Sequence, residues 1–185
     1  MQKKWLIVAL VVFLIACKPV KELSDEDEAA LESCDDLGSE NEIKECKYIK
    51  SVEIGYAAYC YELGEEKNEC LTRIAEEKQD NSVCSYIKDG NKEAECYKRA
   101  AFSAKNVTMC HVIIIEKSRN NCINDFAVKF GNYTYCDSFY DSIRDASNIG
   151  FNRDNCVYNL INATNDKQLC KKIKSLQIKE RPLCR

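Results

Sequence analysis

The chain has 185 residues, a net charge of −3, and 13 cysteines against 6 glycines, 2 prolines and 1 histidine. That length suits one domain or a short repeat array, and the weakly acidic balance argues against a nucleic-acid partner. So few glycines leave no material for a glycine-rich phosphate loop, and this many cysteines exceed what a reducing compartment ordinarily sustains.

The first element is "MQKKWLIVALVVFLIACKPV", with Lys3 and Lys4 ahead of an apolar run from Trp5 to Ile15, then Ala16 and Cys17. The run falls short of the ~20 apolar residues that span a bilayer, but it suits the apolar region of a secretory signal. The tetrad "LIAC", Leu14 to Cys17, resembles the lipobox of prokaryotic lipoproteins, in which the signal is cut before the cysteine and that cysteine carries lipid. The resemblance implies a signal peptide over 1–16, lipidated Cys17, and a tether through residue 24. Acyl chains contribute about 0.8 kcal/mol per buried methylene, so the two or three chains implied would hold the protein to the extracytoplasmic face of a membrane. Twelve cysteines remain, and an even number in an exported chain predicts disulfides.

The rest of the chain, residues 25–185, is punctuated by those cysteines: Cys34, Cys46, Cys60, Cys70, Cys84, Cys96, Cys110, Cys122, Cys136, Cys156, Cys170 and Cys184. Within successive pairs the steps are 12, 10, 12, 12, 20 and 14, whereas from each pair to the next the step is 14 every time. A constant step five times over marks a tandem array of six units with a period near 26.

Each unit reads as two helices. Ser24 before "DEDE", and Asp80, Asn106, Asn132 and Asp166 four residues before the first cysteine of a pair, are helix caps whose side-chain oxygens accept backbone N–H groups. Three residues after that cysteine stand Leu37, Leu63, Ile87, Ile113, Phe139 and Ile173, marking the buried side of a short first helix. After the second cysteine, apolar or small residues recur at plus one, plus four and plus five: Leu71, Ile74, Ala75; Tyr97, Ala100, Ala101; Ile123, Phe126, Ala127; Val157, Leu160, Ile161. This is the spacing of a narrow helical stripe, in which alanines let neighbouring helices approach. A polar bend such as "KDGNK" joins the two helices. The expected fold is all-α, a short solenoid-like array of tandem αα-hairpins cross-linked by disulfides.

Two neighbour pairings of the cysteines compete, within a hairpin (Cys84 with Cys96) or between units (Cys96 with Cys110). A helix from Cys96 to about Lys105 climbs roughly 13 Å and the next returns only about 6 Å by Cys110, beyond the ~7 Å that bridged Cα atoms tolerate. The within-hairpin scheme also uses all twelve cysteines, although spacing alone does not fix connectivity. Architecturally the chain resembles cysteine-rich tetratricopeptide-like arrays with stapled hairpins. It differs from them in its shorter period and in lacking their glycine-rich signature, so the resemblance implies a mode of construction and no particular ligand.

Catalytic and metal chemistry finds no foothold in the pattern. There is no C-x-x-C, no G-x-S-x-G and no H-E-x-x-H, and His111 adjoins Cys110, which a disulfide would deprive of its thiol. No cofactor and no enzymatic activity are expected. Three sequons, at Asn106, Asn132 and Asn162, are present, the first two doubling as caps. Charge is uneven: residues 21–45 hold eleven acids against Lys21 and Lys44, and residues 167–185 hold seven bases, among them Lys171, Lys172, Lys174, Lys179 and Arg181, against Glu180.

The fifth unit carries eight extra residues in its bend, within "YDSIRDASNIGFNRDN". Insertions in repeat arrays collect on one face, often the binding face. Tyr140, Ile143, Arg144, Ile149, Phe151 and Arg153 supply there the aromatic, apolar and cationic mixture of interface hot spots. The expectation is a lipid-anchored extracytoplasmic module that binds an envelope or extracellular protein or peptide; the competing expectation is an inert envelope spacer.

Overall fold

The computed structural model describes residues 23–139 and 149–185, and the regular structure within them is entirely helical. The chain divides into two compact units, one ending at Gly64 and one spanning Glu65–Arg185. Gly64 itself adopts φ 58° and ψ −113°, a kink within the turn Tyr61–Glu66 that a side chain would resist.

In the first unit α1 (Asp25–Glu32) is capped by Ser24, whose hydroxyl accepts the Asp27 N–H at 3.2 Å, with four acids in the first turn facing the positive end of the helix. Helix α2 (Glu40–Ile54) starts at Ser39, and α3 (Ala57–Cys60) follows. The helix started at Ser24, as expected, ends before Cys34, which lies in the turn after α1, bridged to Cys46. Leu37, three residues on, consequently remains 42% exposed.

The second unit contains α4 (Lys67–Lys78), α5 (Gly90–Ser103), α6 (Glu116–Phe130), α7 (Ile149–Thr164) and the single turn α8 (Leu176–Lys179). The short first helices are 3₁₀ turns: Asn81–Tyr86, Val107–Val112, Tyr133–Phe139 and Lys167–Lys172. Each starts as expected, with Asp80, Asn106, Asn132 or Asp166 accepting the N–H two residues on at 2.9–3.1 Å. Three of them stop on an isoleucine. Ile87, Ile113 and Ile173 are extended, donate their N–H to the cysteine three residues back, and bury their side chains completely or nearly so. The bend is tighter than "KDGNK" implied, because Asp89 caps α5 by accepting the Asn91 and Lys92 N–H groups, which puts Gly90 to Lys92 inside the helix. The last segment lacks a long second helix, ending in α8 and the turn Pro182–Cys184.

Helices α4 to α7 pack each against the next, and the twelve stripe positions are all buried. Five bridges adopt the within-hairpin scheme: Cys34–Cys46, Cys84–Cys96, Cys110–Cys122, Cys136–Cys156 and Cys170–Cys184, with Cα separations of 5.5–5.8 Å. Cys60 and Cys70 are disulfide-bonded too.

The constant step of 14 has a structural cause. Nine residues after the second cysteine the backbone is left-handed every time, at Gly55, Gln79, Lys105, Gly131 and Asn165 (φ 50° to 80°). At the first four of these the next residue donates its N–H back to the carbonyl five residues past the cysteine: Tyr56 to Ser51, Asp80 to Ala75, Asn106 to Ala101, Asn132 to Ala127. This is the Schellman ending of a helix, and the donor is, from Asp80 onward, also the cap of the next turn. Ending and restarting share adjacent residues, so no residue can be inserted between them.

Candidate binding surface

Helices α4, α5 and α6 line an open groove of about 330 Å³ walled by Glu76, Glu95, Lys98, Arg99, Phe102, Ser103 and Lys129. Its position follows from the helix period. Phe102 lies six residues past Cys96, just off the buried plus-four and plus-five positions, so its ring is half-buried at the groove instead of sunk in the core. Phe126 meets it edge-on at 5.3 Å between centroids, and Phe126 in turn packs on Phe130 and Tyr135 at 4.5 and 4.8 Å.

Charge surrounds that ring. The ammonium of Lys129 stands 4.8 Å from the Phe102 centroid and that of Lys98 5.9 Å, both within cation–π range. Lys98 also reaches Asp125 at 2.6 Å, joining α5 to α6. On the other side Arg99 forks two carboxylates of α4, its Nε meeting Glu76 at 2.9 Å and its Nη1 meeting Glu69 at 2.9 Å. The Glu76 hydrogen bond, followed by that from Glu69, raises the Arg99 pKa further above its ordinary value despite partial burial. Ser103 donates to the Glu76 carbonyl at 2.7 Å, closing the same wall. The groove thus offers an apolar floor, fixed cations and fixed acids. It suits a side chain laid over Phe102 whose polar ends meet either charge.

The residues expected to bind fare differently. Tyr140, Ile143 and Arg144 lie outside the described residues, as does Cys17. Ile149 begins α7, so Phe151 and Arg153 belong to a helix instead of a bend. Phe151 is exposed, but Arg153 is only 5% exposed and is not available to a partner. Its Nε meets Asp137 at 3.0 Å, and its Nη1 meets Asp154 at 2.9 Å and the carbonyl of Lys172. Burial opposes its charge, yet hydrogen bonds to Asp154 and Asp137 outweigh that cost and raise its pKa. Asp154 in turn accepts the N–H groups of Lys174 and Ser175 at 2.9 and 2.6 Å.

Sequence reasoning missed this anchor and the groove. A signal for the anchor was present: Arg119 and Arg153 both stand three residues before the second cysteine of a pair, both are buried, and each donates to a main-chain carbonyl at or beside the end of a 3₁₀ turn, Ile113 and Lys172 respectively. Among the described residues no three His, Cys, Asp or Glu side chains converge as a metal site requires, and no helix is long and apolar enough to cross a membrane. No protein-family profile, curated protein or solved structure matches this chain.

Proposed function

We propose that this protein is a membrane-anchored extracytoplasmic module that binds or scaffolds a protein or peptide. The disulfides fit an oxidising compartment, and the leader ending in Cys17 supplies the anchor in this reading. The observation that carries the binding role is the α4–α6 groove, where half-buried Phe102 lies within cation–π range of two ammonium groups beside the Arg99 clamp. Aromatic and arginine side chains at a partly desolvated site are the usual carriers of binding energy, and bridged hairpins hold such a surface at little entropic cost. A fixed spacer has no need of one.

Benzophenone cross-linking on the full chain in its native membrane tests this. A photoreactive residue at Ser103 is expected to give a discrete adduct that Lys129→Glu abolishes, and one at exposed Ser85 is expected to give none. No adduct at Ser103, or equal adducts at both positions, returns the protein to an inert spacer. Replacing Cys17 by alanine is expected to abolish labelling by fatty-acid precursors; retained labelling refutes the anchor.

A further inference from the structure

We propose that the C-terminal lobe closed by the Cys170–Cys184 bridge is a second membrane contact, docking on an anionic phospholipid surface with Leu176 entering the headgroup layer. The proposal is independent of the groove and of Cys17.

The lobe gathers charge of one sign. Between Cys170 and Arg185 lie Lys171, Lys172, Lys174, Lys179, Arg181 and Arg185 against the single acid Glu180, and the bridge holds the two ends of the segment 5.5 Å apart at Cα. Among the described residues no carboxylate lies within ion-pair distance of Lys171, Lys179 or Arg185. Lys172 and Arg181 instead lie over the rings of Tyr133 and Tyr158, each 5.1 Å from the centroid, which leaves their charge unneutralised. One-turn α8 is too short for its dipole to explain so many cations.

An exposed apolar residue stands among them in the sequence. Leu176 is 75% exposed, more than any other large apolar side chain among the described residues. Its outward position is built in from below. Asp154, almost fully buried, fixes the two preceding backbone N–H groups, and Ile178 of the same turn is fully buried, so α8 faces inward with Ile178 and outward with Leu176. A projecting leucine on a segment this rich in cations needs a partner that is anionic at its surface and apolar just beneath. A bilayer with anionic headgroups is such a partner without any shaped pocket.

The test is flotation of the full chain with vesicles of phosphatidylcholine alone or mixed with phosphatidylglycerol. The variants are Lys171→Gln with Lys179→Gln, and Leu176→Ser; all three side chains are exposed, and wild type and variants share the same leader, so their ratio isolates the lobe. On phosphatidylglycerol vesicles each removed cation is expected to lower the partition coefficient about fivefold and loss of the leucine about tenfold. On phosphatidylcholine the charge variant is expected to match wild type, and salt is expected to erase the difference. Equal binding of wild type and either variant to phosphatidylglycerol vesicles overturns the proposal. So does a wild-type oligomer, seen by sedimentation without vesicles, that the charge variant loses, because the lobe would then be meeting the acidic end of a second copy.

Discussion

Asp154→Ala removes the inner support of the C-terminal lobe. In the wild type one carboxylate oxygen holds Arg153 and the other holds the N–H groups of Lys174 and Ser175, with the aspartate only 2% exposed. Hydrogen bonds to a charged group contribute roughly 1.5–3 kcal/mol each, and removing one partner of a buried ion pair costs about 3–5 kcal/mol. These contributions are not additive, since Arg153 keeps Asp137 and the Lys172 carbonyl after the change. The expected loss is therefore about 3–5 kcal/mol, a large share of the ~5–15 kcal/mol that holds a domain. Asp154→Asn retains one acceptor and is expected to lose about half as much. Urea unfolding of the full chain under non-reducing conditions measures the loss, and hydrogen exchange locates it: Lys174 and Ser175 should lose protection while α5 keeps its own. A midpoint equivalent to less than about 1 kcal/mol of destabilisation, or unchanged protection of the two amides, refutes the assigned role.

At Lys105, where φ is 50°, glycine removes the steric penalty of the left-handed backbone, so Lys105→Gly should stabilise by about 0.5–1 kcal/mol in thermal unfolding. A destabilised variant would show that the helix does not end there as described. Joint replacement of Cys84 and Cys96 by serine opens a loop with a sequence separation of 12 and should cost about 3 kcal/mol by denaturant titration. Peptide mapping of the wild type should recover Cys84 linked to Cys96, and recovery of Cys96 linked to Cys110 would contradict the fold. The Asp89 carboxyl is held below its ordinary value of 3.8 by hydrogen bonds from Lys92 and Asn91. A depressed folded-state pKa means that its stabilisation is present above that value and is lost as pH falls through and below it. Asp89→Asn should thus show a shallower fall in stability with acidification below 3.8 than wild type, and identical slopes would refute the cap.

The parts of the fold that were legible in the sequence are those where one residue type answers one local need. Asp and Asn before the 3₁₀ turns are short acceptors for orphan N–H groups, and the structure uses each as a cap. The plus-one, plus-four and plus-five stripe is buried throughout because three positions suffice for the face a helix turns to its neighbour. Left-handed residues were not legible, since Gln79, Lys105 and Asn165 occupy positions where glycine would have announced itself. Cys34 misled because α1 ends before it, which changes the environment of Leu37. Arg153 misled for a different reason: a cation near an insertion looks like a contact residue until its carboxylates are placed, and Asp137 is sixteen residues away. Phe102 escaped notice because a half-buried aromatic one position off the stripe looks like ordinary core.

The two kinds of spacing between cysteines reflect two different constraints. Between segments, a helix ending, a left-handed residue and a cap occupy consecutive positions, and at Asp80, Asn106 and Asn132 the N–H that closes the first helix belongs to the residue that starts the next turn. Adding or removing one residue there would separate those two roles and leave backbone groups without partners, at a cost for each buried group of about 1–3 kcal/mol. Within a segment the bridge fixes the two cysteines at 5.5–5.8 Å whatever the chain does between them, at separations of 12, 14 or 20. Lengthening that loop costs only about 0.6 kcal/mol per doubling in closure entropy. Variation is therefore cheap in the stapled bends and expensive at the junctions. The polar outer faces of the long helices are equally free to vary, because the buried stripe needs only three positions. The groove around Phe102 occupies one such face, and the longest of the stapled separations, 20 residues, lies between Cys136 and Cys156.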